Sequence, residues 1–62
     1  MKRLELMKHI FSHGCGVLRE GGNHTSVLNP ANKRQTIVGR HREIDNSMAR
    51  TICKQLGIPP MR

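Results

Sequence analysis

GGNHTSVLNPANKRQTIV, Gly21 to Val38, holds two short β-prone runs, each preceded by turn residues. Gly21-Gly22-Asn23 is a turn signal, and the run His24 to Leu28 (HTSVL) favours a strand. NPANK then has the length of a hairpin connection, with Pro30 and Asn32 as its turn residues. RQTIV, from Arg34 to Val38, reads as the next strand. Just upstream, CGVLRE contributes Val17 and Leu18 to a further short strand, so the middle of the chain spells a three-stranded meander.

Helical spacing flanks it on both sides. Leu4, Met7, Ile10 and Phe11 recur with the period of an amphipathic helix from about Lys2 to His13, and Gly14 is its natural stop. Asp45, Asn46 or Ser47 can cap a second helix whose inner face is Ala49, Ile52, Cys53 and Leu56. Gly57 stands where a left-handed terminator is expected, and Pro59-Pro60 prevents continuation. The predicted fold is therefore α+β, a single small α-β-β-β-α domain spanning residues 1–62. Its ordered core covers about 2–58, and 59–62 form a C-terminal tail. A three-stranded antiparallel sheet with both helices on one face is the simplest layered arrangement, leaving the other face for solvent or a ligand.

Sixty-two residues allow one small core. A chain of this size buries about 60% of the surface it exposes when unfolded, so its stability is marginal without a partner. No apolar run is long enough to span a membrane. Glu5, Lys8 and His9 interrupt MKRLELMKHIF, so no signal peptide is expected, and the chain reads as cytoplasmic. Cys15 and Cys53 are far apart in sequence, and two free, partly buried thiols are the expectation. His9 and His13 lie one helical turn apart with Cys15 beyond, but a closed zinc site wants four ligands and no second cluster completes one. Neither a metal nor another cofactor is expected.

Charge is more informative. Eleven Lys and Arg against four Asp and Glu give +7, and Lys33 to Arg42 holds four cations with His41 and no acid. Such an excess on a short chain favours a polyanionic partner, nucleic acid or an acidic protein surface. On the second helix, Arg50 and Lys54 are like-charged neighbours four residues apart, an arrangement a bound phosphate would turn favourable. Phe11 is the one aromatic residue, and its helical phase places it in the core. A base-stacking platform is then missing, and recognition through backbone charge and shape fits better.

His24 is the candidate for chemistry. RNA carries its own nucleophile, the 2′-hydroxyl, so cleavage needs a base, cations for the phosphate and an acid for the leaving oxygen. Histidine, with an ordinary pKa near 6.5, suits general acid–base work at neutral pH. The glycines before His24 let a phosphodiester approach the main chain. Lys2, Arg19, Lys33, Arg34 and Arg40 are candidates to stabilise its charge. Taken alone, the same residue reads more simply as a surface histidine at a strand start. Two rivals remain: a non-catalytic RNA-binding module, and an adaptor docking an acidic protein.

The succession of a helix, HGCGVLREGGNHTSVLNP, TIVGRHREI and ARTICKQLGI resembles the HicA toxins of bacterial type II toxin–antitoxin systems, from Lys2 to about Ile58. The Gly22-Asn23-His24 step and Gly39 to Ile44 (GRHREI) carry the likeness. The resemblance implies a double-stranded-RNA-binding-domain-like fold and a growth-arresting mRNA interferase, an endoribonuclease, with His24 catalytic; the chemistry above is expected to need no metal. It also implies a HicB-type antitoxin covering the basic His24 surface. RNA contacts are expected from Lys2, Arg19, Gly22, Asn23, Lys33, Arg34, Arg40, His41, Arg42, Arg50 and Lys54. Where many members carry a second histidine this chain has Thr25. Where proline is frequent it has Gly39, a difference expected to alter only loop stiffness.

Overall fold

The computed structural model describes residues 1–61; Arg62, the end of the expected tail, lies outside the described residues. The order is α1 (Arg3–Ser12), β1 (Gly16–Glu20), β2 (His24–Asn29), β3 (Arg34–Gly39) and α2 (Asn46–Leu56). The strands form one antiparallel sheet in the order β1-β2-β3. Successive strand residues point to opposite faces. In β2 this buries Thr25, Val27 and Asn29 and turns His24, Ser26 and Leu28 outward. Thr36 and Val38 of β3 join the buried face. Both helices close it, through Leu6, Met7 and Ile10 of α1 and Ala49, Ile52, Cys53 and Leu56 of α2.

The face expected of α2 is the one observed. That of α1 is rotated: Leu6 is fully buried, while Leu4 and Phe11 stay 67% and 47% exposed. At about 100° per residue, Leu6, Met7 and Ile10 form one stripe and Leu4 and Phe11 share its flank. Five apolar positions cover a wider arc than this small core reaches, so the flank faces water. Phe11 is therefore an exposed aromatic, contrary to the expectation. Val17 and Leu18 also emerge half-exposed, because β1 is an edge strand whose register slips between Val17 and Arg19.

Both helices end alike. Gly14 (φ 87°) and Gly57 (φ 73°) adopt the left-handed conformation that glycine takes without a Cβ penalty. At the end of α1, Gly14 N–H donates to the Phe11 carbonyl at 3.0 Å and Cys15 N–H to that of Ile10 at 3.3 Å. At the end of α2, Gly57 N–H donates to Lys54 at 3.1 Å and Ile58 N–H to Cys53 at 3.0 Å. Each is a Schellman closure whose outer residues, Ile10 and Cys15 or Cys53 and Ile58, are buried in the core. Asp45 precedes α2 as expected, though its carboxylate accepts from the Ser47 hydroxyl at 2.6 Å instead of capping a backbone N–H.

The NPANK connection does more than turn. Its left-handed residue is Lys33 (φ 61°). Asn29 and Asn32 instead send their side-chain amides to the Leu56 carbonyl, at 2.8 and 3.0 Å. The turn thus satisfies a carbonyl that the end of α2 leaves without a helical partner.

Candidate active site

His24 opens β2 on the outward face, exposed to solvent. Its cross-strand partner is Gly39, the last residue of β3. A Cβ on Gly39 would meet His41 Cδ2 at 3.4 Å, a van der Waals contact, so the imidazole of His41 lies beside this residue. His24, Gly39 and His41 line one groove of about 320 Å³ beside the β3 edge. Its remaining walls come from Ile37, the loop residues Glu43, Ile44 and Asp45, and Met48 and Ile52 of α2.

The turn before His24 is held by Gly21 N–H donating to the His24 carbonyl at 2.7 Å. Among the described residues nothing lies within 4 Å of where a Gly22 Cβ would stand, so the flank of the turn is open to a close-approaching backbone. The Gly39 carbonyl accepts from Arg3 Nε at 3.0 Å, which ties the end of β3 to α1.

The expected cations separate into groups. Arg40 stays beside the turn, its guanidinium 3.4 Å from both Glu20 Oε1 and the Gly21 carbonyl. An exposed pair of this kind contributes at most about 1 kcal/mol and leaves the cation available to a phosphate. Lys2 and Arg42 line a second depression with Arg3, Leu4 and Glu43, and Glu43 is common to it and the His24 groove. Arg19 stands across from Ser26 on the outward face of β1. Lys33, Arg34 and Lys54 collect elsewhere: Arg34 pairs with Asn29, and its guanidinium donates to the Lys54 carbonyl at 3.4 Å. Asn29 is five residues along β2 from His24, roughly 17 Å away. Arg50 faces a small cavity with Met1, Asn46, Ala49 and Met61.

Arg3, Glu43, Asp45, Ile37 and Met48 are site residues that the sequence reading missed. An arginine in a helix's first turn reads as solvated, and nothing local shows that it reaches two strands. The two acids and two apolar residues become groove walls only through the packing of α2 beside β3.

His9 Nε2 donates to the Pro59 carbonyl at 2.6 Å, and its ring meets His13 edge-on with centroids 4.7 Å apart. Cys15 and Cys53 are free and buried. Burial pushes both thiols above their ordinary pKa, and for Cys15 the proximity of Cys53 adds to it. No helix among the described residues is long and apolar enough to cross a membrane.

A family model described as the HicA toxin of bacterial toxin–antitoxin matches residues 4–58. No curated protein and no solved structure matches. The match spans both helices and all three strands, and the α-β-β-β-α order is the one its likeness to that family implied. The chain belongs to the HicA toxin family and is the toxin of a bacterial toxin–antitoxin pair.

Proposed function

We propose that this toxin is an mRNA interferase, a cytoplasmic endoribonuclease in which His24 moves the proton. The observation that carries the reading is the position of His24: outward, at the mouth of an open turn, with Arg40 beside that turn and the Lys2–Arg42 depression adjoining its groove. A phosphodiester seated there meets an imidazole and positive charge together. His24 accepts the proton of the RNA 2′-hydroxyl, the freed oxygen attacks the adjacent phosphorus, and the P–O5′ bond breaks as an acid delivers a proton to the leaving oxygen. The cations offset the charge that builds on the phosphoryl oxygens, an interaction strengthened wherever water is excluded. The products are a 2′,3′-cyclic phosphate and a 5′-hydroxyl, with no metal required.

The antitoxin is proposed to be of the HicB type and to cover this same surface. Ile37 and Met48, both exposed, flank the groove and give a protein partner apolar contact beside the cations. Binding to the folded toxin alone would also raise the stability of a small domain by mass action.

Incubating the purified chain with labelled RNA in EDTA, beside His24→Ala, tests the reading. Cleavage by the parent, with the variant retaining RNA but not cutting it, is the expected result. Binding without cleavage by either would make the domain an RNA-binding module, and neither binding nor cleavage would favour the adaptor.

A further inference from the structure

We infer that His41 is the general acid of this reaction, delivering the proton to the 5′-oxygen that leaves while His24 takes the one from the 2′-hydroxyl. The inference rests on the ribonuclease reading above and names the residue that completes its site.

The geometry begins with Gly39. Side-chain positions directly opposite in an antiparallel pair are about 4.5–5.5 Å apart, so with the 3.4 Å contact to Gly39 the His41 ring begins within roughly 9 Å of the His24 Cβ. That span holds a phosphate between two rings. One ring rises from the start of a strand and the other from a loop, with a residue lacking a side chain as the floor between them. Displacement at phosphorus runs in line, so the attacking and leaving oxygens sit on opposite sides of it. Two imidazoles flanking one floor suit that requirement, whereas one imidazole must change sides or work through water.

Among the described residues, no other group facing His41 in the groove fits the role. From the loop come Glu43 and Asp45, which when ionised only accept hydrogen bonds. From β3 come Ile37 and Gly39, and from α2 Met48 and Ile52, none of them charged; β2 supplies His24 itself. The flanking arginines do not release a proton in proteins. Arg40 is directed at Glu20 and Gly21, and Arg42 lines the adjoining depression.

The proton balance follows. His24 begins neutral and His41 protonated. The 2′-hydroxyl proton passes to His24, the O2′–P bond forms, the P–O5′ bond breaks, and the proton of His41 goes to O5′. After turnover the two rings have exchanged protonation states, and solvent restores them.

The test compares kcat/KM for an RNA dinucleotide with that for a nucleoside 3′-phosphodiester carrying p-nitrophenolate, which leaves without a proton. His41→Ala and His41→Gln should each lose on the order of 100-fold or more on the RNA and stay near the parent on the aryl ester. His24→Ala should lose both. The parent's RNA profile should be bell-shaped in pH and lose its alkaline fall in the His41 variants. If the parent cleaves RNA and the His41 variants match it, or lose equally on both substrates, the assignment is wrong while the ribonuclease reading stands. No cleavage by the parent would overturn both.

Discussion

The guanidinium of Arg3, in the first turn of α1, donates to the Thr25 hydroxyl at 2.8 Å, and that hydroxyl donates onward to Glu20 Oε1 at 2.8 Å. Thr25 is fully buried on the helix side of the sheet, behind His24. A side chain at position 25 therefore cannot share the work of its neighbour, because adjacent strand residues face opposite ways. Thr25→Val should lower stability by about 1–2 kcal/mol in urea titration, since it leaves Arg3 and Glu20 without their shared partner. Thr25→His should destabilise the fold without increasing cleavage of an RNA oligonucleotide.

The clasp between the NPANK turn and the end of α2 gives a second expectation. Asn29→Ala removes a buried amide donor and should cost about 1–2 kcal/mol, with Asn32→Ala costing less because that residue is exposed. Gly57→Ala should be at least as harmful as Asn32→Ala. Its left-handed backbone penalises any Cβ by about 1–2 kcal/mol, and the added atom would stand 2.5 Å from Asn32 Nδ2. Thermal unfolding of the three variants checks the order.

The cysteines predict an alkaline limit. Their folded pKa values are raised by burial, so the folded chain holds the thiol protons more tightly than the unfolded one. The associated stability is complete below the unfolded thiol pKa, near 8.5, and is lost as pH rises from there toward the folded values. The slope is at most about 1.4 kcal/mol per pH unit per thiol. Urea unfolding at pH 7.5 and 9.5 should show the loss, and Cys15→Ala with Cys53→Ala should flatten it. Both thiols should react slowly with an aromatic disulfide until denaturant is added.

Position divides the cations by consequence. Lys33→Ala, Arg34→Ala and Lys54→Ala, at the end of the sheet away from His24, should weaken RNA binding and reduce its salt dependence while leaving the bound cleavage rate unchanged. Lys2→Ala and Arg42→Ala should lower that rate as well, because their depression adjoins the groove. Filter binding across a salt series, paired with single-turnover cleavage, separates the two groups.

Element order and the buried face of α2 were legible because each signal is local. Ala49, Ile52, Cys53 and Leu56 leave one apolar stripe to choose, and Gly57 marks its end. In α1 the apolar residues at 4, 6, 7, 10 and 11 wrap too far round, and only the sheet decides that Leu6 enters while Leu4 and Phe11 do not. His24 stood out by its chemistry and its turn. The contact between His41 and Gly39 did not, since it depends on how the loop after β3 folds back over that strand. The net charge was equally plain, but its division between the two ends of the sheet follows from the pairing of Asn29 with Arg34.

Residues 1–3 lie alongside residues 42–44 as a short antiparallel strap. Lys2 bridges to Glu43, Arg3 N–H donates to the Arg42 carbonyl at 2.8 Å, and Ile44 N–H donates to that of Met1 at 2.7 Å. The segment bearing His41 and Glu43 is thus a wall clamped from behind by the first residues of the chain. The conformational entropy of that wall is lost when the domain folds, not when a ligand arrives, which favours binding to a site already in shape. Loosening the strap would return that entropy and make the groove a mobile one, at a distance in sequence of some forty residues from the change.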